Sequence, residues 1–385
     1  MTNAINKINI LLSRYGIMVL FLVFMILEGF GKSYLFSKSH TQIPLIIKSI
    51  ILVFSGVFIF SNLKKNKKNL ILLSVLFLVF IFGQLTINPS FSLNSLTIAI
   101  KFFTPLLFFI LFKDIHIPKS HQKITFQVFE RVMVLNSILI LIGSIVNIYF
   151  FKSYLGNRFG FSGIFQTPGV TSYSYLITLF YFVISYKKDV IKNWKFLIIY
   201  LTCFLVGTKA LFLGLLVVTF YVISIQRFRF KKIFNFLSII IISIAAYLFF
   251  FKYGIFNSIS ESKGLISAIL SYRDRLLINN TLPYINEHWS WINYLFGGVS
   301  DYNLRSQMEV VDVFFFWGIL GGALYLYSYI KKYITFKMNK ELWLFFILLA
   351  FIIFLAGNFF AYSMIIVFLL VLKERIFISQ ENSYI

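Results

Sequence analysis

The sequence is poor in cysteine and in charge, and each shortage excludes a class of protein. A single cysteine, Cys203, among 385 residues can form no internal disulfide and indicates no metal cluster. Charged residues make up only 13% of the chain against 59% hydrophobic residues, which leaves too little polar surface to cover a soluble globule. The composition therefore predicts an all-α polytopic membrane protein with no separate soluble domain.

Apolar stretches recur along the whole chain, with lengths near the ~20 residues that a helix needs to cross the hydrocarbon of a bilayer. The first stretch lacks a small-residue cleavage site, so we interpret it as a retained helix rather than a removed leader. The last pair is broken at Gly357 and Asn358, which predicts a hairpin with both ends on one side. We predict about twelve transmembrane helices, over residues 9–30, 44–62, 70–88, 97–112, 132–151, 170–186, 195–207, 209–226, 233–251, 310–330, 342–356 and 358–372.

Acidic residues are also scarce, since 13 Asp and Glu face 36 Lys and Arg and leave a net charge of +23. The basic residues gather in alternate loops, around residues 64–68, 113–123, 187–192, 227–232, 331–340 and 373–375. Clusters in alternate loops are typical of the cytoplasmic side of a membrane protein, so we expect both termini there. Anchoring and attraction to anionic lipids explain this charge better than nucleic-acid binding does, and we expect no nucleic-acid partner.

Two loops on the opposite side are long enough to carry function, a smaller one at 152–169 and a larger one at 252–309. Arg158 begins a Gly- and Pro-rich segment that ends at Gly169, and its free backbone amides suit close approach to an anion. Lys209 follows a turn between two short apolar stretches. Because a lysine facing lipid is costly, Lys209 either faces a polar cavity or snorkels through a thinned bilayer.

The large loop carries apolar residues at helical spacing from Leu265 to Leu277, which predicts one amphipathic helix lying at the membrane interface. Arg273 falls on the apolar stripe of this helix and Arg275 on the polar face. An arginine on the buried side needs an anionic partner, either a bound substrate or the phosphate of an interfacial lipid.

Further along the large loop, Trp289 and its neighbouring aromatic residues suit sugar faces and membrane interfaces equally well. Arg305, Glu309 and Asp312 are spaced i, i+4, i+7, so they share one face at the start of the tenth predicted span. They are either part of a site or a structural Arg305–Glu309 ion pair.

Four cations, Arg158, Lys209, Arg273 and Arg305, thus lie on the side that the positive-inside rule depletes. Cations placed against this bias indicate an anionic partner. A lipid-linked diphosphate is the candidate at this depth, because guanidinium groups match its oxygens in bidentate fashion. We predict no cofactor and no metal site.

These residues resemble motifs of the Wzy-type O-antigen and capsular polysaccharide polymerases, in the O-antigen ligase and polymerase superfamily of GT-C-like membrane glycosyltransferases. Arg158 and Gly169, with ten residues between them, resemble the family's R-x10-G pattern. The tripeptide 271–273, Ser-Tyr-Arg, resembles its Ser-Gly-Arg element, and Gly318 with Gly321 resembles its G-x-x-G. The twelve-span layout with one dominant outer loop extends the resemblance over most of the chain.

The sequence departs from the family pattern at three points. The large loop has no R-x10-G, and Lys209 stands where relatives often carry arginine. Gln307 occupies the position at which ligases of the superfamily place a histidine, which favours a polymerase over a ligase.

The resemblance implies transfer of a growing glycan from undecaprenyl diphosphate to a lipid-linked repeat unit at the outer face of a bacterial plasma membrane. Membrane lipids and a chain-length regulator protein join the candidate partners. A superfamily ligase and a lipid-linked oligosaccharide flippase are the alternative functions. We assign charge stabilisation and base catalysis to the catalytic candidates Arg158, Arg273, Arg305, Glu309 and Asp312. The substrate-binding candidates are Lys209, Gly169, His288, Arg275, Tyr272 and Trp289, of which His288 is also the third-ranked base.

Overall fold

The computed structural model describes residues 8, 10–37, 43–87, 93–113, 115–154, 156, 158–226, 229–252 and 255–381. Asn9, which begins the first predicted span, and Arg227, in one of the basic clusters, lie outside the described residues. So do residue 88 of the third predicted span, residues 155 and 157 of the smaller predicted loop and residues 253–254 of the larger one.

A helix lies at each of the twelve predicted apolar stretches. Five of these helices, α1, α3, α5, α9 and α15, are long and apolar enough to cross a membrane by length and composition. The described part of the chain contains no β-strand, only an isolated bridge between Lys152 and Phe161. The twelve helices are α1 (Leu12–Ser37), α2 (Ile43–Ser61), α3 (Leu63–Leu85), α4 (Leu93–Leu111), α5 (Lys119–Val146), α6 (Pro168–Tyr186), α7 (Trp194–Val206), α8 (Lys209–Ile225), α9 (Lys231–Lys252), α15 (Glu309–Tyr333), α16 (Lys340–Leu355) and α17 (Ser363–Glu381).

Short helices fill the segment between α9 and α15. They are α10 (Ile255–Lys263), α11 (Leu265–Leu270), α12 (Arg273–Leu276), α13 (Leu282–His288) and α14 (Trp291–Phe296). The end of the bundle that carries this segment, where α6 and α8 begin, is called the loop end below.

Two central helices are buried on all sides, and the helices around them expose apolar side chains. Every residue of Val170–Ile184 in α6 is buried, and so is every residue from 364 to 374 in α17, which packs against α6. On the outside, α2 exposes 64% of Val53 and α9 exposes 64% of Ile241. An apolar exterior around an apolar core fits a helical protein surrounded by lipid rather than water.

The helices end at residues suited to ending them. Thr167 caps α6 by accepting a hydrogen bond from the backbone of Val170, and Pro168 follows at the first helical position. Gly207, with a φ of +71°, ends α7 in the left-handed conformation. The break between α16 and α17 includes Gly357 and Asn358, as the sequence predicts, and Asn358 has a φ of +71°.

The prediction of a single amphipathic helix from Leu265 to Leu277 is wrong. Ser271 and Tyr272 have φ values of +56° and +67°, so the helix stops and α12 begins in a new direction. Leu265 and Ile266 on α11 are still 58% and 69% exposed, as an interfacial helix requires. The direction of Arg273 is therefore set by this break and not by the apolar stripe.

Gly318 interrupts α15, with a φ of +66° and a ψ of −170°. A Cβ at Gly318 would meet the backbone of Leu295 and Phe296 in α14, and a Cβ at Gly297 would lie 2.5 Å from the backbone of Trp317. The first glycine of the G-x-x-G pair therefore acts as a backbone break, while the second, Gly321, packs against the side chain of Val79 in α3.

Candidate anion-binding site

A cavity of about 490 Å³ lies at the loop end. Its walls combine the smaller loop, the first turns of α6 and α8, the break after α11, and the segment after α16. The polar and glycine residues that line it are Tyr154, Arg158, Thr167, Gly169, Ser172, Tyr173, Thr208, Lys209, Ser271, Arg273, Gln307, Gly357, Asn358 and Tyr362.

Three of the four predicted cations line this cavity together. Arg158 stacks on Tyr154, with its guanidinium carbon 3.9 Å from the ring centroid. The ring of Phe256 lies 4.8 Å from the same guanidinium carbon and 3.6 Å from the Lys209 ammonium. Arg273 completes the group, and Gly169 lines the wall beside them. These residues therefore line one hollow.

Within the described part of the chain, the three cations lack a carboxylate partner. Among the described residues, no Asp or Glu oxygen lies within 4.0 Å of Arg158, Lys209 or Arg273. Lys209 donates to the carbonyls of Ala268 and Ile269, and Arg273 Nη1 donates to the carbonyl of Leu355 at 3.3 Å. The buried Nε of Arg273 has no hydrogen-bond acceptor among the residues that the structure describes. Since buried charge is costly unless it is paired, this cavity suits an anion.

Two helix N-termini add positive potential to the cavity. Thr167, Pro168 and Gly169 line it at the start of α6, and Thr208 with Lys209 lines it at the start of α8. Both helices therefore place the positive ends of their dipoles at the same space, although Pro168 has no N–H and that of Val170 is bonded to Thr167.

A close backbone crossing brings Arg158 to Lys209. The N–H of Phe161 donates to the carbonyl of Leu205 at 2.9 Å, which ties the smaller loop to the end of α7. A Cβ at Gly160 would lie 2.6 Å from the carbonyl oxygen of Val206, and a Cβ at Gly207 would lie 2.7 Å from that of Phe159. Only glycine fits at either position, because both also have positive φ.

Lys32 fixes the other side of the smaller loop. Its fully buried ammonium group donates to Ser162 Oγ at 2.7 Å and to the carbonyl of Gly163 at 2.6 Å. Lys32 is not among the predicted site residues, although a lysine near the end of the first apolar stretch is the kind of signal that indicates a buried polar partner.

Burial destabilises the charged forms of Arg158 and Arg273, and the charge of Arg273 adds to this effect at Arg158. Burial lowers the pKa of Arg158 from its ordinary value; the Tyr154 hydroxyl opposes this effect, and Arg273 adds to it. Burial also lowers the pKa of Arg273, against the opposing effects of Tyr173 and Tyr154. Both guanidinium groups stay charged near neutral pH, so a bound anion would relieve both the burial cost and the mutual repulsion.

The predicted acidic residues lie behind the cavity wall rather than on it. Glu309 Oε1 accepts a hydrogen bond from the N–H of Phe360 at 2.7 Å. Asp312 Oδ1 accepts from Ser306 Oγ at 2.9 Å and from the N–H of Gln307 at 3.1 Å. These two carboxylates therefore hold the wall segments that include Gln307 and Asn358.

Arg305 is not on the helical face that its spacing predicts, because α15 begins only at Glu309. Its Nη1 lies 4.0 Å from Asp312 Oδ2, so the ion pair forms with Asp312 and not with Glu309. Its guanidinium carbon lies 4.0 Å from the ring centroid of Tyr302. Arg305 does not line the cavity.

The other four predicted residues also lie off the cavity. Arg275 Nε lies 3.9 Å from Asp274 Oδ2, and Tyr272 is 38% exposed at the helix break. The His288 ring stacks on Tyr284 at 4.4 Å, and Trp289 Nε1 donates to the carbonyl of Gly298 at 2.9 Å.

Ten of the fourteen polar and glycine residues on the cavity wall were not predicted as site residues, among them Tyr154, Tyr173, Asn358 and Tyr362. Asn358 carried a signal, since a polar residue beside a glycine inside an apolar run marks a break. The tyrosines carried none, because tyrosine is common in the apolar stretches of this chain.

In the described part of the chain, no group of three or more His, Cys, Asp or Glu residues is arranged to hold a metal ion. Comparisons with protein-family models, with curated proteins and with solved structures find no match to this chain. Function is therefore inferred from the chemistry of the cavity.

Proposed function

We propose that this protein is a lipid-diphosphate-dependent glycosyltransferase that polymerises polysaccharide repeat units. It transfers a growing glycan from undecaprenyl diphosphate to a hydroxyl of a lipid-linked repeat unit at the outer face of a bacterial plasma membrane. One observation carries the proposal: Arg158, Lys209 and Arg273 line one cavity with two helix N-termini, and no described carboxylate pairs with them.

A diphosphate suits this arrangement better than a single carboxylate does. Two guanidinium groups and an ammonium group supply many donors, and each charge-assisted hydrogen bond contributes ~1.5 to 3 kcal/mol. The cavity volume of about 490 Å³ lies within the range of pockets that hold small molecules. The exposed apolar helices around the cavity suit a polyprenol chain, which has to stay in lipid.

The chemistry needs charge stabilisation on the leaving side. The bond between the anomeric carbon and the diphosphate oxygen breaks, the diphosphate keeps the electron pair, and the acceptor oxygen bonds to the anomeric carbon as its hydroxyl loses a proton. Arg158, Lys209 and Arg273 stabilise the developing negative charge because they are already in place before the bond breaks.

The base that takes the proton is still a prediction. No Asp or Glu is among the described residues that line the cavity. Glu309, Asp312 and His288 stay the candidates in that order, although both carboxylates hydrogen-bond to the wall segments and do not line the cavity.

The proposal includes a GT-C-like arrangement in which all twelve long apolar stretches cross the membrane and both termini are cytoplasmic. In this topology the loop end faces outward, where lipid-linked repeat units are joined. The alternation of basic clusters supports this orientation.

The proposal is tested by incubating the purified protein with lipid-linked repeat units and resolving the products by length. The wild type should give a ladder. We expect Arg158→Ala and Arg273→Ala each to lower the rate of elongation by about 100-fold or more, because each removes a preorganised charge, while single-repeat material stays intact. The matched control is Arg131→Ala, which removes an exposed arginine of α5 away from the cavity.

Wild-type chain lengths in both cavity variants would refute the assignment. Two other outcomes would identify the alternatives. Variants that accumulate long lipid-linked polymer would indicate a ligase, and variants that leave repeat units on the cytoplasmic face would indicate a flippase.

A further inference from the structure

A second cavity, of about 220 Å³, adjoins the candidate site, and Tyr362 lines both. It lies between α1, α2, α4 and the start of α17. Its polar wall contains Glu28, Lys48, Lys101 and Tyr302. Its apolar wall includes Phe24, Leu52, Ile100, Phe108 and Met364.

The polar wall carries more positive charge than its partners neutralise. Glu28 Oε1 lies 3.8 Å from the Lys48 ammonium, and Glu28 Oε2 accepts a hydrogen bond from the N–H of Gln166 at 3.3 Å. The single carboxylate is thus engaged with one of the two lysines. Among the described residues, no carboxylate oxygen lies within 4.0 Å of Lys101.

Lys101 contacts an aromatic face in place of an anion. Its ammonium group lies 3.9 Å from the ring centroid of Tyr302, the same ring that Arg305 contacts at 4.0 Å. A cation–π contact compensates a half-buried ammonium group only in part, and this lysine lies in a helix whose other residues are uncharged. A charged lysine in such a place indicates that the cavity binds an anionic ligand.

We propose that this cavity, called the Lys101 cavity, is a second phosphate site. It binds the phosphate group of an isoprenoid lipid through Lys101 and Lys48, while the apolar wall contacts the first carbons of the lipid chain. The apolar side chains favour a lipid over free phosphate, because free phosphate would leave them facing water.

The binding itself does not depend on the proposed enzymatic function. One consequence does: if the first cavity holds the diphosphate of the donor, the Lys101 cavity holds the phosphate of the acceptor. Two lipid-linked molecules would then lie on either side of the shared Tyr362, which places both reactants within one reaction volume.

The test measures how many molecules of farnesyl phosphate the purified full-length protein binds in detergent, by native mass spectrometry with a concentration series. Two bound molecules are expected on the wild type. Lys101→Gln should weaken one of the two by at least tenfold and leave the other unchanged, and Arg158→Ala should do the reverse.

Three controls make the result specific. Lys101→Arg, which keeps the charge, should retain the second molecule, and Lys67→Gln, which removes an exposed lysine of α3, should bind two. Lys101→Met replaces the lysine by an apolar residue of similar length and serves if the glutamine variant does not fold.

Each remaining outcome is decisive. Equal binding of farnesol would overturn the phosphate assignment, and equal displacement by inorganic phosphate would assign the cavity to a free anion instead of a lipid. Unchanged binding in both Lys101→Gln and Lys101→Met would overturn the site itself. Normal product ladders from both Arg158→Ala and Arg273→Ala would refute the proposed function and leave the Lys101 cavity standing.

Discussion

Lys209 serves two purposes at once. Its ammonium group donates to the carbonyls of Ala268 and Ile269 and also lines the cavity. It therefore joins the start of α8 to α11 while it contributes charge to the site.

We predict that Lys209→Met weakens the binding of farnesyl diphosphate by about tenfold or more, because one charge-assisted hydrogen bond is lost. Isothermal titration calorimetry of the purified protein measures this effect. Lys209→Arg should lose less affinity, since the charge stays. Lys263→Met removes an exposed lysine of the large loop and should bind as the wild type does; an equal loss in Lys263→Met and Lys209→Met would contradict the prediction.

Basic residues on the side that the positive-inside rule depletes are a sequence signal that identifies individual site residues. It identified Arg158, Lys209 and Arg273, which the fold brings to one cavity. It failed for Arg305, because that residue precedes α15 and pairs with Asp312. Spacing predicts a shared face only where the helix is continuous, and the sequence does not show where this helix begins.

At the scale of secondary-structure elements, α14 and α15 pack backbone against backbone at Gly297 and Gly318. Gly297 and Gly318 both have positive φ, and a Cβ on either would meet the backbone of the other helix. This contact anchors the end of the large loop to the membrane helix that follows it.

We predict that Gly318→Ala destabilises the protein by roughly 2 kcal/mol or more, from left-handed strain and overpacking together. The measurement is the thermal unfolding midpoint in detergent. Gly29→Ala is the matched control, since a Cβ there has no neighbouring atom within 4 Å and helical alanine is favoured over glycine. Similar midpoints for the two variants would show that the α14–α15 contact has room to adjust.

Helix positions follow from hydrophobicity, and for that reason all twelve apolar stretches coincide with helices. The amphipathic helix of the large loop was predicted too long. Ser271 and Tyr272 adopt left-handed conformations that neither residue type favours, and the surrounding packing imposes them. No pattern in the sequence carries that information.

At the scale of the whole molecule, the buried Cys203 leaves the remaining surface free of native thiols in the described structure. The orientation of the chain can therefore be tested with introduced cysteines. Ser262 and Ser120 are both exposed, the first in the large loop and the second at the start of α5.

We predict that a membrane-impermeant maleimide labels Ser262→Cys in intact cells and labels Ser120→Cys only after permeabilisation. The wild type, with Cys203 buried, should stay unlabelled. Labelling of Ser120→Cys in intact cells would reverse the proposed orientation, and with it the assignment of the loop end to the outer face.

The backbone crossing of Gly160 and Gly207 has a consequence for other chains of this kind. At this crossing the two backbones touch with no side chain between them, and this contact sets the distance between Arg158 and Lys209. A sequence that kept all its basic residues but carried methyl groups at these two positions would hold the same charges too far apart to share one ligand. The number of basic residues in such a sequence would therefore overestimate its ability to bind the anion. The two glycines are the better indicator of this site.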